Sequence, residues 1–182
     1  FWAKDNFKPL INARAETVVD KPAFRTAARR RRCLVPTNGY YEWQKRPDGK
    51  KQPYFLSLAD AQGQSAPPGS EPVLAMAAIF EWPAEGEEGP ATSALLTRQA
   101  ADTLGHIHER MPLFVPRSLW EPWLDRDLTG GDEVTELINA IPVAPLAPRM
   151  VDPAVGSVRN DFPGLIDPYH PEAEALPDLL AP

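Results

Sequence analysis

The sequence predicts an α+β fold, a single strand-rich domain with a mixed or antiparallel core and helices at its periphery. Three observations predict it. Apolar residues fall in short runs rich in β-branched and aromatic types, each bounded by Gly, Pro, Asn or Asp. Proline supplies 22 of the 182 residues, about 12% against a typical ~5%, which excludes long helices and regular repeat arrays. The composition, 43% apolar and 24% charged, is that of a globular chain long enough to bury a sizeable core.

The elements follow in order. Residues 1–32 are polar and basic, with a short helix expected over 21–28 and Pro22 near its first turn. Arg29 to Arg32 form a four-residue basic run. Residues 33–44 read as strand, with a bend or bulge at Asn38-Gly39. Arg46-Pro47-Asp48-Gly49-Lys50 is a turn by its chemistry, so residues 54–58 return as the second strand of a hairpin. A polar loop spans 60–72, a buried strand 73–82 and an acidic loop 83–90. Residues 92–97 are a strand, and 98–104 a helix ended by Gly105. Residues 113–115 are a short strand, and 116–124 a helix with Pro at its start and Trp120, Trp123 and Leu124 on one face. A last helix covers 132–140 with Asp132 as cap. The final 40 residues read as largely irregular, and 167–182 as a flexible tail.

Charge is unevenly placed. The formal net charge is −6, yet residues 1–60 hold 13 Lys+Arg against 6 Asp+Glu, and every Lys lies before position 52. The split points either to a basic surface on an acidic molecule or to halves that mix again on folding. A single cysteine, Cys33, excludes an internal disulfide and a zinc site built on several cysteines, and reads as a small core residue. No apolar run approaches the ~20 residues that span a bilayer, and no signal peptide is visible. The reading is a cytoplasmic monomer without membrane contact.

No Gly-rich phosphate loop, G-x-S-x-G or H-E-x-x-H occurs. His106-x-His108 offers two ligands on one face of a strand but no third nearby, so no metal and no cofactor are expected. Three polar phrases remain. In Asn12-Ala13-Arg14-Ala15-Glu16-Thr17, Asn12 and Arg14 alternate with alanine and fall on one side of an extended segment. Arginine's planar fork suits a phosphate; a solvated polar turn is the other reading. In Gly39-Tyr40-Tyr41-Glu42-Trp43, a carboxylate among aromatics suits acid–base work once burial disfavours its charged form. Alternation equally allows Glu42 a solvent face, with Tyr41 and Trp43 turned to the core. Ile107-His108-Glu109-Arg110-Met111-Pro112 packs His, Glu and Arg together, as a proton-transfer group or as a surface turn.

Taken together, N-A-R-A-E-T, then R-R-C-L-V-P-x-x-G-Y-Y-E-W, then I-H-E-R-M-P resemble the SRAP (SOS response-associated peptidase) family over about residues 1–166. The stretch from Val155 to Asp161 resembles its C-terminal signature. The resemblance implies a DNA-damage protein that binds single-stranded DNA at abasic sites. An N-terminal cysteine would cross-link to the open sugar as a thiazolidine, with self-removal of the first residue and a lyase activity alongside. It implies that Asn12 orients the cysteine's amine, that Glu42 is the general acid/base and that His108 is the second catalytic group. It also implies DNA contacts by Arg14, Arg110, Thr97 and Trp2; His106 has no comparable role. A cysteine-type peptidase acting on proteins and a non-covalent single-strand binding module are the alternatives. The family's cysteine is the second encoded residue, whereas this chain opens Phe1-Trp2-Ala3. The resemblance therefore implies a missing N-terminal portion, and it predicts that the coding sequence upstream of Phe1 starts Met-Cys; any other start removes the nucleophile.

Overall fold

The computed structural model describes residues 10–86, 88–100 and 104–171. Its strands and helices follow the α+β pattern, and backbone contacts group them into two compact units.

Of the described residues, the first unit takes 10–37, 73–86, 88–100, 104–105 and 109–144. Its strands are β1 (Asn12–Arg14), β2 (Arg32–Thr37), β5 (Leu74–Glu81), β6 (Thr92–Gln99) and β7 (Arg110–Pro112), and its helices are α1 (Arg25–Arg30), α2 (Trp120–Leu124) and α3 (Gly131–Ala140). The sheet runs β1-β6-β5-β2, with β7 also paired to β6. It is mixed: β1 is parallel to β6 and the other pairs are antiparallel. β5 is buried along most of its length, as its unbroken Leu74-Ala75-Met76-Ala77-Ala78-Ile79 run requires. Ala13, Val18, Ala28, Ile79, Leu96, Leu113, Trp123, Val134 and Ile141 fill the core.

Arg32 organises this unit. It is 9% exposed, and every acceptor of its guanidinium is a main-chain carbonyl. Nε donates to Trp123 O at 2.8 Å; Nη1 donates to Ala28 O, Arg29 O and Leu128 O; Nη2 donates to Asp125 O. The guanidinium also lies 5.8 Å from the Trp123 ring centroid, and Trp123 Nε1–H donates to Cys33 O at 2.9 Å. Burial pulls the Arg32 pKa below its ordinary value.

Of the described residues, the second unit takes 38–72, 106–108 and 145–171. Its antiparallel sheet has the order β3 (Gly39–Lys45), β4 (Lys51–Leu58), β8 (Leu146–Met150). The Arg149 guanidinium, on β8, meets the Glu71 carboxylate at 2.9 Å with both side chains buried, and donates also to Ile166 O and Ala66 O. Glu71 in turn accepts from Gly69 N–H. One buried pair thereby fastens the polar loop and the C-terminal stretch to the sheet. Tyr169 N–H donates to Met150 O at 2.9 Å.

Several boundaries differ from the sequence expectation. The strand expected over 33–44 is two strands in different sheets, broken at Asn38. Gly39 is required for space: a Cβ there would lie 2.4 Å from the Phe55 ring and 2.6 Å from Leu56 O. The first helix starts at Arg25, so Pro22 precedes it. Arg98 and Gln99 extend β6 rather than opening a helix, and residues 101–103 lie outside the described ones. The strand expected at 113–115 is displaced: β7 ends at Pro112, where residues 97–99 of β6 pair with it, and residues 113–115 instead form an isolated bridge from Phe114 to Met76, with Leu113 N and Val115 N bonded to Leu96 O and Ala75 O. Asp132 does not cap α3. Gly130 is the N-cap, and its N–H donates to the Glu133 carboxylate at 3.2 Å. The proline-rich C-terminal stretch supplies β8, where Pro148 is tolerated on an edge strand.

Replacing Arg32 with Met should lower stability by about 3 kcal/mol or more, because buried carbonyls left without a donor cost about 1–3 kcal/mol each. A lower urea midpoint at unchanged m value checks this; an unchanged midpoint contradicts it.

Candidate functional site

The predicted polar residues are carried on strands and their flanks, some in each unit. In the first unit, β1 alternates exposed, buried, exposed, so Asn12 and Arg14 share the open side and Ala13 points into the core. This is the alternation that N-A-R prescribes. Arg14 is directly opposite Thr97 in the parallel β1–β6 register. Among the described residues, no carboxylate lies within 4.0 Å of its guanidinium.

Arg110, on β7, sits opposite Gln99 of the same β6. Its guanidinium donates to Thr97 O and, at 3.2 Å, to Thr97 Oγ1. It also grips Glu16 with both arms, Nη1 to Oε1 at 2.8 Å and Nη2 to Oε2 at 2.9 Å. This fork-to-carboxylate geometry is the strong form of the ion pair. The Arg110 hydrogen bond holds the Glu16 carboxyl below its ordinary pKa. Sequence reasoning passed over Glu16, although it lies within the N-A-R-A-E-T phrase. Its signal was the carboxylate two positions after Arg14; its partner, 94 positions away, had no local sign.

In the second unit, Glu42 and His108 come together. Glu42 Oε2 lies 3.9 Å from His108 Nδ1, and both side chains keep solvent access, at 24% and 45% exposure. Glu42 Oε1 accepts from Trp43 N–H at 3.0 Å, which leaves Oε2 turned toward the imidazole. The register sets Glu42 opposite Tyr54. Tyr41 packs edge-on against Phe55 at 5.4 Å, but residues 39–44 are all half-buried, so β3 does not divide into the core and solvent sides that alternation allowed. Tyr40, two positions before Glu42, has its phenol pKa pushed strongly upward by burial and further by the Glu42 charge. It therefore remains a neutral hydroxyl beside the carboxylate.

His108 is delivered by a turn rather than by the strand expected around His106-x-His108. The Gln44 side chain holds that turn, donating to His106 O at 3.2 Å, and Gln44 itself accepts from Tyr54 OH. No group of three or more His, Cys, Asp or Glu side chains suited to a metal occurs among the described residues. Cys33 is half-buried in β2 and burial raises its thiol pKa, which opposes thiolate formation. Trp2 lies outside the described residues. No helix among the described residues is long and apolar enough to cross a membrane.

The fold and these groups define a mixed α+β protein whose polar residues stand on strand faces and strand-flanking turns. The chain belongs to the SOS response associated peptidase (SRAP) family, whose model matches residues 1–158. The abasic site processing protein YedK of Escherichia coli is 32% identical over 170 residues, covering 92% of this chain and 70% of its own length. YoaM of Bacillus subtilis, also named an abasic site processing protein, is 29% identical over 170 residues, covering 91% of this chain and 70% of its own. HMCES of Gallus gallus, named likewise, is 33% identical over 178 residues, covering 91% of this chain and 52% of its own. A crystal structure of a Bacteroides thetaiotaomicron protein shares the fold with a TM-score of 0.70 and 26% identity, covering 87% of this chain and 66% of that one. The chain thus spans about 70% of the length of these bacterial relatives and about half of the avian one.

The Glu16–Arg110 pair has a pH consequence. With the folded value lowered, the pair's contribution is complete above the ordinary glutamate range and is lost as pH falls through the lowered value. Carbon-13 NMR titration should show the Glu16 carboxyl returning to its ordinary value in Arg110→Gln; a titration unchanged by that substitution would assign the shift to another group.

Proposed function

We propose that this protein recognises abasic sites in single-stranded DNA and shields them through a covalent bond to the opened sugar. The observation that carries the reading is the Glu42–His108 pair, 3.9 Å apart, in a chain whose relatives are named abasic site processing proteins. The arrangement offers a carboxylate and an imidazole close enough to exchange a proton through a small relaxation. Arg14 adds an exposed guanidinium suited to a phosphate.

The reaction needs a nucleophile with an amine and a thiol on adjacent carbons, which only an N-terminal cysteine offers. In this reading it is encoded ahead of Phe1 and exposed by removal of the residue before it. Cys33 is excluded, because its nitrogen is committed to the peptide bond within β2. The sugar first opens to its aldehyde, with Glu42 moving the proton between the anomeric hydroxyl and the ring oxygen. The amine then adds to the aldehyde carbon and water leaves, giving an imine. The thiol adds across the C=N bond, sulfur to carbon and proton to nitrogen, and closes the five-membered ring. One water is lost overall and nothing is oxidised or reduced. His108 serves as the second proton carrier, Asn12 holds the amine, and Arg14, Arg110 and Thr97 contact the strand. Peptide cleavage of other proteins would use the same thiol, but no described residue favours it. A lyase activity would follow if, before the thiol added, Glu42 or His108 removed the proton α to the imine and the electron pair expelled the 3′ phosphate by β-elimination.

The full-length gene product should give a heat-stable shifted band with uracil-containing single strands treated with uracil glycosylase, and none with intact strands. Glu42→Ala and His108→Ala should each slow the band's appearance by about 10²-fold, the scale of general acid–base assistance. Unchanged rates would reject their roles, and binding without any covalent product would favour the non-covalent alternative.

A further inference from the structure

We propose that a second nucleic-acid contact lies at the far corner of the first unit's sheet, where arginines surround an exposed tryptophan, and that it takes an unpaired base with its neighbouring phosphates. Trp82 follows β5 and is 65% exposed. The Phe80 ring meets it edge to face, with centroids 5.4 Å apart and planes at 84°, so the indole has a fixed attitude despite its exposure. It borders two concavities. One, of about 460 Å³, is lined also by Arg30, Arg31, Phe80, Leu124 and Arg126. The other, of about 400 Å³, lies toward Pro22 and Ala84. A third hollow shares Arg30 and adds Arg25 and Arg29.

The arginines around the larger concavity differ in what already holds them. Arg32 is committed to main-chain carbonyls. Arg31 is paired with Glu81 at 2.6 Å. Among the described residues, Arg30 and Arg126 are exposed and have no carboxylate within 4.0 Å. Asp125 is the acidic residue on the lining, and it accepts from Asp127 N–H. In a chain of net charge −6, this concentration of arginine runs against the overall balance.

An aromatic ring held open beside unneutralised guanidiniums supplies what a single strand needs, a stacking surface and charges that follow its backbone. An acidic peptide would use the arginines but would leave the indole without a flat partner, so the observations favour a nucleobase.

The site is distinct from the one above. Arg14 and Thr97 share a register level on β6, whereas Glu81, the residue before Trp82, is level with Thr92. Five residues of strand separate these levels, about 16 Å at ~3.3 Å per residue. The contact rests on the reading that this protein engages single-stranded DNA, but not on the abasic-site chemistry.

The test uses the full-length protein and an intact oligothymidylate of about 16 nucleotides. Binding should quench tryptophan fluorescence and should weaken with salt. Trp82→Ala should weaken binding roughly tenfold or more and remove most of the quench. Arg30→Glu/Arg126→Glu should weaken it further and lower the salt slope by about 1.4, at ~0.7 per phosphate lost. Unchanged affinity in both variants overturns the proposal. So does equal weakening by Arg46→Glu/Lys50→Glu, a charge-matched change in the β3–β4 turn, because general electrostatics would then explain the effect. Circular dichroism confirms that the variants fold. Covalent product on abasic DNA is scored separately: its absence from the wild-type protein would reject the chemistry while leaving the oligothymidylate result to decide the contact.

Discussion

A buried guanidinium serving main-chain carbonyls is the constraint on which the first unit depends. The helices α1 and α2 are six and five residues long, too short for intrahelical bonding to satisfy many of their own carbonyl groups. Packed against a sheet, those carbonyls would be buried without donors. Arg32 resolves this from inside the sheet, because the first residue of β2 bonds the end of α1, the end of α2 and the approach to α3. The helices are thereby fixed against β2, and Trp123 closes the arrangement by returning a hydrogen bond to Cys33 O of that strand. The orientation of the arginine-lined corner beside α1 follows from this bonding.

The second unit uses the other solution for a buried arginine. Arg149 meets a carboxylate, Glu71, and adds two carbonyls. A buried ion pair is no guarantee of net stability, but here its two partners come from a loop and an edge strand, so it specifies where each lies. Glu42 stands on β3 of the same sheet. Its geometry depends on ordinary strand features: the amide of the next residue takes one carboxylate oxygen, and the aromatic packing of Tyr41 fixes the pleat. His108 depends instead on a turn held by the Gln44 side chain. The two members of the pair are therefore supported by different means, one by a regular ladder and one by a side-chain tether.

Much of this was readable from the sequence, and the exceptions have physical causes. The apolar run of β5, the β3–β4 hairpin with its Pro-Asp-Gly turn, the exposed side of Asn12 and Arg14 and the helix of Trp123 all obey local periodicity. Local rules failed where a distant partner decided. The run Arg29 to Arg32 reads as one basic surface, yet Arg32 is buried and Arg31 is paired with Glu81. Backbone carbonyls leave no mark in a sequence, so nothing distinguished Arg32 from its neighbours. Gly39 reads as a bend, but the reason for it is the Phe55 ring on the adjacent strand. Strand β8 was hidden by its prolines, which exclude a central strand but not an edge. Glu16 was missed because its role is set by Arg110, brought beside it only when β7 pairs with β6.

Because Arg32 addresses only main-chain oxygens, its network is indifferent to which side chains its partners carry. Positions 29, 125 and 128 can each vary without withdrawing an acceptor, as long as the backbone keeps its path, whereas Ala28 and Trp123 are also held by core packing and the Trp123 ring faces the guanidinium. Arg32 has no such freedom, since lysine offers a single nitrogen where the guanidinium fork reaches carbonyls in several directions. Sequence drift around this hub is therefore expected to be one-sided, with an invariant arginine among replaceable neighbours. A search for its partners by paired substitution would find Trp123, whose ring faces the guanidinium, but not the residues that only lend it a carbonyl.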